Sequence, residues 1–270
     1  MTLIAAFRSP EGFAVCADSQ GTVGDYRISR QKLIPETCGA FDIVIAGTGN
    51  NGELIDAFVE RLLHDNLPRA NVSTLPELKQ FLGRELLDYD RHEIGHYPRS
   101  QRLMQFVVGA RTRGDGTYAI WRTQGSRVLE VRDFTVVGWE EPLYSAIAKR
   151  LYKQNLTLEQ AELAAMYVLI IAEETSNYVH GPMSAAVIRQ SGMRIEAPNR
   201  VLDMSQRLRD FEIATNNLFL ACAENTPQPI LEKKLDEFRQ QATQLHRFSG
   251  LMVSKVVVYV ALQAPDNKNH

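Results

Sequence analysis

The order in which strand-like and helix-like segments follow one another constrains this chain more than any single motif. Residues 3–7 and 13–17 are apolar runs of strand length separated by Ser9-Pro10-Glu11-Gly12, a turn signal. Residues 21–34 read as further strands around a Gly-Asp bend. Residues 41–46 read as a short strand buried on both faces and interrupted only by Asp42. Two helices come next. One covers 53–64 with Leu54, Ala57, Phe58, Leu62 and Leu63 on one face; the other opens at Thr74 as N-cap, with Pro76 in its first turn. After the polar stretch 89–102, strands resume at 103–110, 118–122, 127–131 and 134–137. Helices at 142–153 and 158–173 then lead into strands at 184–189 and 193–195.

Strands clustered in this way favour antiparallel pairing over repeated βαβ units. The expected fold class is therefore α+β: two antiparallel sheets packed face to face with helix pairs outside, a four-layer αββα sandwich over residues 1–200. Beyond Pro198 the pattern changes to helical segments at 205–223 and 230–248, joined by a turn at 224–229. An apolar, β-branched run at 251–262 follows. Residues 201–270 are taken as a C-terminal extension, mostly helical with a terminal apolar strand.

Composition narrows the function classes. A chain of 270 residues with 44% hydrophobic and 23% charged residues can bury an ordinary core. A net charge of -2 makes no electrostatic case for nucleic acid or an anionic membrane surface. No apolar run approaches the roughly 20 residues of a membrane helix. The first residues lack a basic start and a cleavage site, so the expected location is cytoplasmic. Cys16, Cys38 and Cys222 form no CxxC pair, and Cys16, inside an apolar strand, reads as a core residue.

Three motifs compete for the chemistry. Gly47-Thr48-Gly49-Asn50-Asn51-Gly52 is a GxGxxG between a strand and a helix, but the second parallel strand of a dinucleotide unit is missing. It reads as a tight turn whose N–H groups, at a helix start, are also able to stabilise an oxyanion. His92-Glu93-Ile94-Gly95-His96 is a literal HExxH. A zinc metalloprotease would need a helix running through it, and Pro98 stops that helix. The third is Thr2. Removal of Met1 would free an α-amine, with a pKa of about 8, beside the Thr2 hydroxyl, joining nucleophile and base in one residue. Asp18 at the end of an apolar strand and Lys32 in a later one are charges that burial would force to pair.

On these residues the chain resembles the catalytic β-subunits of the proteasome and the bacterial HslV protease. The stretch Thr2-Leu3-Ile4-Ala5 through Gly12 to Ala17-Asp18 is similar to their N-terminal pattern, Lys32 falls where their lysine lies, and Ala46-Gly47-Thr48-Gly49 matches the turn before their first helix. The resemblance covers about residues 2–196. It implies the Ntn-hydrolase fold and a threonine peptidase working through an acyl-enzyme. Thr2 would be the nucleophile, Lys32 would stabilise its ionised oxygen, Asp18 would hold Lys32, and the Gly47 N–H would serve the oxyanion hole. It also implies peptide or protein substrates, a homo-oligomeric ring, and an ATPase or other regulatory partner as an option, with no cofactor and no metal. Trp139 stands where the family has a serine–glycine pair. Asn177 and His180 are the candidates to replace an aspartate and a serine of a later loop. The alternatives are a non-catalytic scaffold of the same fold and the zinc enzyme.

Overall fold

The computed structural model describes residues 2–23, 26–223 and 226–249; the side chains of 21–29, 248 and 249 are not described. The expected apolar strand at 251–262 and the Gly24-Asp25 bend lie outside the described residues. The chain divides into two compact units, Met1–Ser205 and Gln206–His270.

In the first unit the strands are β1 (Leu3–Ser9), β2 (Gly12–Ala17), β3 (Gln20–Val23), β4 (Tyr26–Ser29), β5 (Leu33–Cys38) and β6 (Phe41–Gly49), followed by helices α1 (Gly52–Glu60) and α2 (Leu75–His92). Then come β7 (Met104–Thr112), β8 (Tyr118–Gln124), β9 (Arg127–Glu130), β10 (Phe134–Gly138), α3 (Glu141–Leu151), α4 (Leu158–Thr175), β11 (Ser184–Arg189) and β12 (Gly192–Ile195). One sheet has the order β10-β1-β2-β11-β12, the other β5-β6-β7-β8-β9, and β3 and β4 form a separate hairpin. Their pairings are antiparallel. This is the expected α+β four-layer sandwich.

Side-chain alternation explains the layering. Ile4, Ala6, Phe13, Val15 and Ala17 of the first sheet meet Leu33, Val44, Ala46, Val107 and Ile120 of the second in the inter-sheet core. Their neighbours Leu3, Ala5, Phe7, Ala14 and Cys16 are also fully buried, because they face the other way, where α4 packs over β1 and β2. Both faces of these strands are thus apolar, which is why they read as continuous runs. On the second sheet Phe41, Ile43, Ile45 and Phe106 face α1 and α2 through Leu54, Phe58, Leu78 and Leu82. Gly109 lets the sheets close. A Cβ there would lie 2.3 Å from Cε2 of Phe13, so the Phe13 ring occupies the room that a side chain would take.

Several details depart from sequence expectation. The strand expected to end at 34 continues to Cys38 through Pro35, which pairs opposite Val44. It can do so because β5 is an edge strand, where a missing N–H leaves no ladder bond unmade. Asp42 is not an isolated charge, since it stands opposite Arg111 and accepts from its Nη1 at 2.8 Å. Thr74 caps α2 in a full capping box with Glu77.

A buried charged cluster closes the first unit. Glu162 of α4 lies among Arg194, Glu196 and Arg200: Arg194 Nη2 donates to Glu162 Oε2 at 3.4 Å, Arg200 Nε pairs with Glu196 Oε2 at 2.7 Å, and Arg194 Nε donates to Glu196 Oε1. Burial, and then the Glu196 carboxylate, push the Glu162 carboxyl up to about 7 against the pull of Arg200 and Arg194. α5 (Pro198–Ala223) starts here, earlier than the expected 205, since proline is accepted in a first helical turn. The second unit carries the rest of α5 and α6 (Gln228–Ser249), with Phe211 and Phe238 in ring contact at 5.6 Å. No helix among the described residues is long and apolar enough to cross a membrane.

Candidate active site

Asp18 follows the last residue of β2 and is wholly buried. Its Oδ1 accepts the Leu3 N–H at 2.9 Å, and its Oδ2 accepts the Gln20 N–H at 3.1 Å. Lys32, one residue before β5, brings its Nζ to 3.3 Å from Asp18 Oδ2 and also donates to the Gln20 carbonyl. Burial pushes the Asp18 carboxyl up from its ordinary value, opposed by Lys32 and the two backbone donors. Burial likewise pushes the Lys32 ammonium down, opposed first by Asp18. Each charge thus offsets part of the cost of burying the other.

Thr2 precedes β1 and is 4% exposed. Its carbonyl accepts Thr48 Oγ1–H at 3.0 Å and the Trp139 N–H at 3.1 Å. That approach needs glycine at 138, whose φ is +124° and whose Cβ, if present, would lie 1.9 Å from Thr2 O. The Trp139 ring packs on Tyr178 with centroids 4.3 Å apart. Asn177 and His180 reach the site through their main chain: their carbonyls accept Gln20 Nε2–H at 3.4 Å and the Gln20 N–H at 2.9 Å.

A cleft of about 530 Å³ joins these parts. Thr2, Lys32 and Gly47 line it, with Asp18 behind Lys32; its far side is the start of α1, including Asn51, Ile55 and Asp56. The structure thus brings all four sequence-selected residues together. The Gly47 N–H is already engaged, donating to Lys32 O at 3.3 Å, and a Cβ on Gly47 would lie 2.4 Å from Ile55 Cγ2. Close packing of α1 on β6 therefore requires this glycine whatever its N–H does. Asn51 Oδ1 caps α1 by accepting the Glu53 and Leu54 N–H groups. The GxGxxG segment is thus the end of a strand and a helix cap.

Sequence reasoning passed over Arg30 and Thr48. Arg30 pairs with Asp56 and donates to the Gly52 carbonyl, occupying the space a side chain at 52 would need. Burial pushes its guanidinium down from its ordinary value, and Glu53 opposes the shift. The charge of Arg30, two residues before Lys32 in the same expected strand, was the available signal. At the HExxH segment, α2 ends at His92, Glu93 is its C-cap, and residues 94–96 form a separate tight turn. His92 is exposed and lies 3.4 Å from Asp88, and among the described residues no three His, Cys, Asp or Glu side chains gather as metal ligands would.

No protein-family model and no curated protein sequence matches the chain. Solved structures do. Anbu (ancestral beta-subunit) from Yersinia bercovieri aligns with TM-score 0.63 and 15% identity, over 79% of this chain and 96% of that one. Anbu from Hyphomicrobium sp. strain MC1 aligns with TM-score 0.63 and 13% identity, over 84% of this chain and 99% of that one. The helical assembly of the Anbu complex from Pseudomonas aeruginosa aligns with TM-score 0.61 and 17% identity, over 95% of this chain and 99% of that one. At such identities the likeness establishes the fold, the proteasome-like Ntn sandwich with a helical extension. It also corrects the expected kinship: these structures are Anbu proteins, a related but different kind from HslV and the catalytic proteasome β-subunits. The short N-terminal pattern that suggested those families consists of residues that form β1, the β2 end and the β6 turn, so it follows the shared fold.

Proposed function

We propose that the chain is an N-terminal-threonine amide hydrolase, a peptidase that acts on peptide or protein substrates through an acyl-enzyme once the bond before Thr2 is cut. The observation that carries this reading is the buried Lys32–Asp18 pair at 3.3 Å, with Lys32 lining the same cleft as Thr2 while Asp18 accepts the N–H of the residue after Thr2. A buried lysine costs stability unless it has a task or a partner. Here it shares a cleft with the residue whose oxygen would need to ionise.

In this mechanism the Thr2 α-amine takes the hydroxyl proton as Oγ attacks the carbonyl carbon. The Lys32 ammonium favours the oxygen's negative charge, held in place by Asp18. The same proton passes to the leaving amine, and water then hydrolyses the Thr2 ester. The Gly47 N–H would stabilise the oxyanion by exchanging its 3.3 Å bond to Lys32 O for a stronger one to a charged acceptor. The reading includes self-assembly into a homo-oligomer, supported by the helical assembly of the Anbu complex from Pseudomonas aeruginosa, and work in the cytoplasm.

A second reading, a non-catalytic scaffold of the same fold, is favoured by one observation, the Gly47 N–H being already bonded within the protein. The intact mass with and without a peptide epoxyketone separates the two. A single adduct on a chain that begins at Thr2, absent from Thr2→Ala, is expected. A chain that keeps Met1 and takes no adduct would leave the scaffold.

A further inference from the structure

The carbonyl of Thr2 is gripped from across the sandwich. Along β6 the side chains of Ile43 and Ile45 face the helices, while Val44 and Ala46 face the other sheet. Alternation puts Thr48 on that second, inter-sheet face, where it is 2% exposed. A hydroxyl in an apolar layer needs a partner, and this one donates to Thr2 O at 3.0 Å. The Trp139 N–H reaches the same oxygen at 3.1 Å. At the other end of that peptide group, the Leu3 N–H donates to Asp18 Oδ1 at 2.9 Å. A peptide unit is planar, so holding its oxygen on one side and its N–H on the other fixes the plane. The position of Thr2 Cα and the direction of its Cα–C bond are fixed with it, so only rotation about that bond and within the side chain is left to aim the amine and hydroxyl.

We infer that Thr48 is a positioning residue for the Thr2 nucleophile: its hydroxyl, reaching from one sheet to the other, sets the angle at which Thr2 Oγ meets a bound acyl group. This rests on the reading of Thr2 as nucleophile. The other two grips are of different kinds. The Trp139 donor is main chain, which only a proline would remove, and Asp18 also serves Lys32. Thr48 is a side-chain grip that is separate from the charged pair and leaves the Trp139 bond in place when removed.

The test is inactivation by a peptide epoxyketone of the unsubstituted protein, T48V and T48S, with T2A as blank. Inhibitor affinity and the first-order rate of adduct formation are read separately, alongside the thermal midpoint. Misplacement of a reacting group without loss of binding is expected to slow the first-order step of T48V by about 10- to 100-fold. Affinity should hold, and T48S should recover the rate. If T48V does not fold, T48C, of similar size with a weaker donor, takes its place. An unslowed T48V, or a T48S as slow as T48V, overturns the inference alone, the latter because shape rather than the hydrogen bond would then matter. If the unsubstituted protein forms no Thr2-dependent adduct, the nucleophile reading falls and this one with it.

Discussion

Lys32 Nζ lies 3.3 Å from Asp18 Oδ2 with the two side chains 6% and 0% exposed, an ion pair buried at the wall of the cleft. Removing one partner of such a pair strands the other. Asp18→Asn keeps an acceptor for the Leu3 N–H but takes the counter-charge from Lys32. It should cost about 3 kcal/mol in urea unfolding and sharply reduce reactivity at Thr2, whereas Thr2→Ala should abolish reactivity with little change in stability.

The same pair sets an alkaline limit. Burial holds Lys32 below the ordinary lysine value, and Asp18 is the first force opposing that shift. Adduct formation at Thr2 should therefore decline at a pH lower than that at which a surface lysine deprotonates, and Asp18→Asn should move the decline lower still. A pH–rate profile for both proteins measures this. An Asp18→Asn decline at the same or higher pH would contradict the role given to Lys32.

The cluster at the start of α5 makes stability depend on pH in the opposite sense to most carboxylates. Glu162 titrates near 7 in the folded protein, above its ordinary 4.5. Between those values the native state holds a proton that the unfolded state has lost. The contribution from Glu162 is fully present below about 4.5 and disappears as pH rises through about 7. It should amount to about 3 kcal/mol. Glu162→Gln should flatten that part of the curve of unfolding free energy against pH.

Two glycines test packing directly. Gly109→Ala sets a methyl against the Phe13 ring in the inter-sheet core and should cost about 1–3 kcal/mol, measured by denaturant titration. Gly47→Ala meets Ile55 Cγ2, so Ile55→Ala in the same chain should restore part of its loss. If reactivity returns together with stability in that double variant, the demand for glycine at 47 is steric and its N–H still serves.

Much of this was legible in the sequence for an identifiable reason. Residues 3–7 of β1 and 13–17 of β2 are buried on both faces and apolar throughout, and the charge that directly ends the second run, Asp18, announces a partner. Lys32, inside the polar run Arg30-Gln31-Lys32, was legible through the family resemblance. What could not be read depends on register between distant strands. Thr48 looks like any strand threonine until β6 is laid against β1, and the bond of the Gly47 N–H to Lys32 O exists only because Leu33 pairs with Ala46. The extension of β5 through Pro35 was hidden because proline's exclusion from sheets lapses at an edge. Kinship was misjudged: the expectation rested on a short N-terminal pattern, and the solved structures that share the fold are Anbu proteins.

The oxygen of Thr2 is bonded by Thr48, 46 residues along the chain, and by Trp139, far beyond the first helix pair. Neither contact exists until the two sheets have docked and β10 has come in beside β1. The reactive geometry is therefore a product of completed folding and is absent from any partly folded chain. On the proposed reading, a newly made copy would carry Thr2 as inert cargo, and only the finished sandwich could turn it on other polypeptides.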